Sequence, residues 1–299
     1  MSSTVASLAM TAYLQRRMRS SRQHDLNGFR LTKPREQVLS LVAEYFCLRT
    51  GDFYGLIPNG TNNATAHERT IRRVLHDLYN RKLLSRLPLA QLDETRRFLT
   101  SSYIYGFSDK GLALARDEGL DSGIGKTFEE QSPRTLEHEV EISLFHIELK
   151  RFCEGNGLIL YWRRKDLKKT VYPDALFAIA DPSKPEEHNT FYYFLEVERS
   201  KRGNYANGEP QILRKLAAYS SYYGSARCTK DWDDFQHFRV ILILRNEERS
   251  RNLLQLLAET HRRSMFWVTR EDLYKQDISA KIFQTPRDYL DGALYGFLG

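Results

Sequence analysis

Between residues 119 and 133 the chain passes Gly119, Gly123 and Gly125 with few apolar residues, and the patterns on its two sides differ in kind. Before this stretch, helical periodicities come first and two short strands follow. After it, a helix leads several strands, and helices and strands then alternate, the pattern of an α/β layer around a mixed sheet. A chain of 299 residues, at roughly 100–200 per domain, has room for both. The reading is α+β with two domains: a basic flexible arm over 1–28, a first domain over 29–118, a linker over 119–133 and a second domain over 134–299. Seventeen tyrosines and sixteen phenylalanines supply bulk for two cores, which excludes a disordered chain.

In the first half, Leu31-Thr32-Lys33-Pro34 opens a helix. Thr32 stands at the capping position, Pro34 falls in the first turn, and Val38, Leu39, Leu41, Val42 and Tyr45 form the apolar side. A short element from Asp52 to Ile57 stops at Pro58-Asn59-Gly60. The third element, Ala64 to Lys82, carries two stripes. Ile71, Leu75 and Leu78 recur at helical spacing and face a core. Arg69, Arg72, Arg73 and His76 fall on a different stripe, where guanidinium groups can lie on DNA while the apolar stripe packs. The same spacing also serves an ordinary solvated face. Leu83–Leu87 and Ser101–Phe107 read as strands, and the polar stretch between them makes a wing with Arg96 and Arg97 near its tip, placed for phosphate contacts. Asp109-Lys110-Gly111 then opens a closing helix. Three helices, a hairpin and a closing helix give the order of a winged-helix DNA-binding domain.

In the second half a helix runs from about Arg134 to Phe152. Strands are expected at Leu158–Trp162, Ala175–Ala180, Phe191–Glu198, Arg239–Leu244 and Met265–Val268, with helices at Pro210–Tyr223 and Glu247–Thr260. Tyr172-Pro173-Asp174 begins one strand, and Glu196-Val197-Glu198 ends a very apolar one. Residues two apart on a strand share a face, so Glu196 and Glu198 project together, and adjacent strands would bring Asp174 beside them. Gathered carboxylates repel, and Mg²⁺ or Mn²⁺ relieves the repulsion. Such an ion can activate water and stabilise charge on a phosphodiester. Acids also mark strand ends simply because strand ends are wet. Arg163, Arg164, Lys165, Lys168 and Lys169 precede Asp174, where a DNA strand approaching the acids would cross; a charged surface loop has the same composition.

Lys and Arg outnumber Asp and Glu by 45 to 38, a net charge of +7 that suits a polyanionic partner without requiring one. Cys47, Cys153 and Cys228 lie far apart with no CxxC pair, and read as reduced buried thiols, not a zinc site or disulfide frame. No apolar run reaches transmembrane length. The Arg16-Arg17-Met18-Arg19 cluster follows the mildly apolar start, the wrong order for a signal peptide. The expected location is cytoplasmic, away from membranes.

Pro173-Asp174 followed by Glu196-x-Glu198 resembles the PD-(D/E)XK superfamily of metal-dependent nucleases, with Glu198 standing where a lysine is usual. Some members carry Glu at that position, and others move the lysine to a later helix, which makes Lys201 and Lys215 the candidates for a replacement. A resemblance over most of the chain is to the replication–relaxation family of plasmid and mobile-element proteins, which joins a winged helix to a restriction-endonuclease-like domain and includes relatives of mobilisation relaxases. It rests on Leu31–Arg35, Phe107–Gly111, Leu136-Glu137-His138-Glu139-Val140, Tyr172–Phe177, Phe194–Arg199 and Leu213–Tyr219. The resemblance implies that Asp174 and Glu196 hold the metal, with Glu198 a third ligand or a stand-in for the lysine. It also implies a further acid from the helix after the linker, Glu141 with His138 beside it. Gln211, Lys215 and Tyr219, each four apart, would line the scissile phosphate, with Lys215 stabilising the transition state. Blander roles remain for these: His138 as a core histidine, the tyrosines as core aromatics, Lys215 as a solvated cation.

Two functional classes follow. One is a site-specific DNA-binding protein that nicks or relaxes DNA with a divalent metal, for mobilisation or replication of a plasmid or other mobile element. The other is a non-enzymatic DNA-binding regulator or replication accessory factor with a degenerate nuclease-like domain. Expected partners are double-stranded DNA, single-stranded at a nick, a second copy in a homodimer, and other mobilisation or replication proteins. An RNA-processing nuclease fits less well, because an Arg-striped helix with a wing suits duplex DNA.

Overall fold

The computed structural model describes residues 29–60, 63–89, 102–120, 126–164, 171–185, 189–198, 210–232, 235, 237–260, 264–289 and 291–297. The chain divides into two compact units, Met1–Ser143 and Leu144–Gly299.

In the first unit, helix α1 (Lys33–Tyr45) buries Val38, Leu39, Val42, Ala43 and Tyr45 along one side. Its start departs from expectation: Thr32 occupies the capping position, but its side chain makes no cap. Pro34 in the first turn has no N–H to satisfy, which removes one of the donors a cap would serve. After β1 (Cys47–Arg49), helix α2 (Thr50–Leu56) is held at its start by Asp52, which accepts the Arg49 backbone N–H at 2.8 Å and pairs with its guanidinium at 2.7 Å. Helix α3 (Ala64–Asn80) begins at Asn63, whose side chain accepts from the Ala66 N–H at 3.1 Å, and buries Ile71, Leu75 and Leu78.

Strands β2 (Leu84–Pro88) and β3 (Tyr103–Phe107) pair antiparallel, and β1 flanks β3, giving the order β1-β3-β2. Helix α4 (Asp109–Asp117) is capped by Ser108, whose Oγ accepts the Gly111 N–H at 3.1 Å and donates to the Lys82 carbonyl at 2.5 Å. A Cβ on Gly111 would stand 1.8 Å from the Leu83 carbonyl oxygen, so only glycine lets this helix start so close to β2. Part of the stretch expected as linker packs on this sheet. Phe128 is buried, its N–H meets the Phe107 carbonyl at 2.9 Å, and its ring lies where a Cβ on Gly106 would come within 2.4 Å.

Helix α5 (Pro133–Gly155) contains the division between the units. The second unit continues through β4 (Ile159–Arg164), β5 (Ala175–Ala180), β6 (Thr190–Glu198), α6 (Pro210–Tyr222), α7 (Ala226–Trp232), β7 (Arg239–Leu244), α8 (Glu247–Thr260), β8 (Phe266–Arg270) and α9 (Glu271–Asp277). Its five-stranded sheet has the order β4-β5-β6-β7-β8; β4 to β6 are antiparallel, and β6, β7 and β8 are parallel. Strand residues alternate between faces. On one face Leu176 and Phe194 join Ile212, Leu216 and Tyr219 of α6 and Leu253, Leu254 and Leu257 of α8. On the other, Phe177 stacks on Tyr193 at 4.9 Å and meets Phe145 of α5 at 6.0 Å. Covering on both faces explains why β5 is buried at every position. All three cysteines are buried thiols outside any disulfide.

Candidate functional site

The register that pairs Ala175 with Leu195 sets Asp174 across from Glu196, one step past the last pair of β5 and β6. Residues opposite each other in an antiparallel pair share a face. Asp174 also closes this end of the sheet: its backbone N–H donates to the Leu195 carbonyl at 2.9 Å, and its Oδ2 accepts the Val197 N–H at 2.8 Å.

Glu196 lies on the face covered by α6 and is buried. Lys215 and Tyr219, four apart and therefore on one side of α6, meet its two oxygens. The Lys215 Nζ donates to Oε2, and the Tyr219 hydroxyl donates to Oε1 at 2.5 Å. Glu198, two residues on, is set against Arg249 of α8, with 3.7 Å between Oε1 and the guanidinium.

Burial, then the neighbouring Asp174 charge, push the Glu196 carboxyl up to about 8, against the pull of Lys215 and Tyr219. For Lys215, burial opposes the charge, but Glu196, Asp174 and Glu198 outweigh it and hold the ammonium protonated. Burial, then the Glu196 charge, raise the Tyr219 phenol well above its usual range, so Tyr219 serves here as a hydrogen-bond donor, not a phenolate.

The expected three-carboxylate cluster is not what these residues form: among the described residues no three His, Cys, Asp or Glu side chains gather as a metal-binding group. Asp174 and Glu196 nonetheless fit a magnesium-type ion, which is held by one or two carboxylates while water and phosphate oxygens fill its remaining positions. Burial and mutual repulsion, which raise the Glu196 carboxyl, are what a cation between them relieves.

The other anticipated residues separate into groups. Glu141 is buried and His138 half-buried, both on the part of α5 that belongs to the first unit. Arg163 and Arg164 end β4, opposite Leu176 and Ala175, and so stand near the strand end that carries Asp174. Lys165, Lys168 and Lys169, the wing-tip Arg96 and Arg97, and Lys201 lie outside the described residues. On α3, Arg69, Arg72, Arg73 and His76 are all exposed, on a side distinct from the buried stripe. Arg72 donates to the Tyr54 hydroxyl at 2.5 Å, and His76 shares a hydrogen bond with Asn80 at 3.0 Å. Arg249 was not foreseen; it stands 51 positions after Glu198, and no spacing rule links a strand end to a helix so far along the chain.

Residues 56–235, more than half of the chain, match the family described as replication-relaxation. The chain belongs to the replication-relaxation family. The matched span holds the arginine stripe of α3 together with Asp174, Glu196, Glu198, Lys215 and Tyr219, whereas Arg249 lies past its end. No curated protein and no solved structure matches the chain. Among the described residues no helix is long and apolar enough to cross a membrane.

Proposed function

We propose that this replication-relaxation protein binds duplex DNA through a winged helix over residues 29–118 and nicks it at a PD-(D/E)XK-type centre within 134–299, in the replication or mobilisation of a mobile element. The observation that carries the reading is Glu196, a buried carboxylate with Asp174 opposite and the Lys215 ammonium on its oxygen. A divalent ion held by Asp174 and Glu196 would supply an activated water and neutralise phosphate charge. The Lys215 side chain is 40 % exposed against 6 % for Glu196, so its ammonium is reachable from solvent and can turn to a phosphate oxygen, stabilising charge as it develops. It thus takes the role of the lysine absent at position 198. On the DNA side, Arg69, Arg72, Arg73 and His76 would enter the groove, and Arg163 and Arg164 would hold phosphates near the acids.

A specific observation favours the non-enzymatic regulator as second reading. Both Glu196 oxygens and Asp174 Oδ2 already accept hydrogen bonds from the protein, which is how acids kept for structure behave.

The test incubates supercoiled plasmid carrying the DNA that flanks the protein's own gene with Mg²⁺ or Mn²⁺. Wild type is compared with Asp174→Asn and Lys215→Met. Metal-dependent nicking lost in both variants supports the enzyme. Salt-sensitive binding with no nicking by wild type replaces it with the regulator.

A further inference from the structure

The second unit holds a cavity of about 190 Å³ at the end of its sheet away from Asp174 and Glu196. Phe191 and Tyr193, near the start of β6, form part of it, and five residues of strand, about 17 Å, separate Phe191 from Glu196. Trp267, Tyr295 and Phe297 complete an aromatic lining, and Arg239 and Lys184 are cations in it, Lys184 being paired with Asp181. The Arg239 guanidinium lies 4.3 Å from the Trp267 ring centre and 5.6 Å from that of Phe191, and it donates to the Tyr193 hydroxyl at 3.2 Å.

Among the described residues no carboxylate pairs with Arg239. Asp181, in the same lining, is engaged by Lys184 at 3.3 Å and by the N–H and hydroxyl of Ser183. A guanidinium half-withdrawn from water without a counter-ion favours an anion, and its fork suits phosphate. Flat walls favour a flat partner. The volume, below the roughly 300 Å³ where drug-sized sites begin, admits a single ring system. Phe191, 40 % exposed, leaves one wall of this box open to solvent.

We propose that this cavity binds one nucleotide, its base among the aromatic rings and its phosphate on Arg239, either free or as the terminal residue of a DNA strand. The site goes beyond the nicking reading and does not depend on it.

Calorimetric titration of the full chain in EDTA, which prevents binding through metal at the acids, tests the site. The probes are dAMP, deoxyadenosine, inorganic phosphate and a short single-stranded oligonucleotide with or without a 5′-phosphate. The expected result is one dAMP per chain, with deoxyadenosine and phosphate each at least tenfold weaker. Arg239→Gln should lose tenfold or more and Phe191→Ala several-fold. If Arg239→Gln fails to fold, as its circular dichroism would reveal, Arg239→Lys and Phe191→Ala carry the test. Binding of the oligonucleotide at least tenfold tighter than dAMP, and only with its 5′-phosphate, identifies a strand-end site; dAMP binding as well or better identifies a free-nucleotide site. No binding of dAMP or the oligonucleotide, or equal binding by wild type and the folded variants, overturns the proposal.

Discussion

On α3 of the first unit, Arg69, Arg72, Arg73 and His76 project into water, and the helix stays folded on the opposite stripe of Ile71, Leu75 and Leu78. Around Glu196 in the second unit, the carboxyl is drawn out of water, and Lys215 and Tyr219 lean on it. The contrast sets how each region responds to change. Exposed cations cost little to maintain and act nearly independently; in the proposed DNA complex they would do so through phosphate contacts that salt weakens. A buried cluster does not divide that way, because removing one member leaves its partner's charge or hydrogen bond uncompensated.

The sharpest probe of this contrast is Lys215→Met. Nicking should fall by about a hundred- to a thousandfold, the range for loss of one transition-state donor, while plasmid binding in a gel-shift assay stays within about threefold. A parallel loss of binding would merge the two regions' roles. Next in size is the triple change Arg69→Ala, Arg72→Ala and Arg73→Ala. Duplex affinity should drop roughly ten- to a hundredfold, and the log–log salt slope should flatten by about one for each phosphate no longer neutralised. Thermal stability should hold to within about 0.5 kcal/mol; a large drop would mean the stripe is structural.

The third probe concerns pH. A folded chain keeps the Glu196 proton up to about 8, whereas the ordinary carboxyl ionises near 4.5. Between those values the folded state holds more protons than the unfolded state, so metal-free stability falls as pH rises, by up to about 1.4 kcal/mol per unit. Urea melts in EDTA should show this decline, and Glu196→Gln should flatten it. The smallest effect is expected from Asn63→Ala, which removes the α3 cap at a cost of about 1 kcal/mol, read by the same melts. A loss several times larger would show that the first unit, too, is tightly coupled.

Much of the framework was legible because its signals are local. The apolar run from Phe191 ends at Glu198 as its composition requires, and Ala175–Ala180, Arg239–Leu244 and Glu247–Thr260 carry their bounds in their own periodicity. What escaped is short or held by distant partners. Cys47–Arg49 has three residues, too few to show alternation, and is a strand only because β3 lies beside it. The helices at Ala226–Trp232 and Glu271–Asp277 are two turns long and carry little pattern. In the site, the facing of Asp174 and Glu196 was readable from strand parity. For Tyr219 the two readings, core aromatic and site residue, prove compatible, since it is buried and still donates to Glu196.

The hydrogen bond from the Val197 N–H to Asp174 bears on how this family is read by descent. The aspartate is a seam as well as an acid: it stitches the end of β5 to β6, and a chain without it would expose a backbone donor at that edge. On the proposed reading, a lineage that lost nicking would still be held to its Pro-Asp by the need to finish the sheet. Persistence of that pair among relatives is therefore weak testimony to activity. The lysine on α6 carries no such backbone duty, so if the proposed nicking holds, its loss or retention would be the better record of activity.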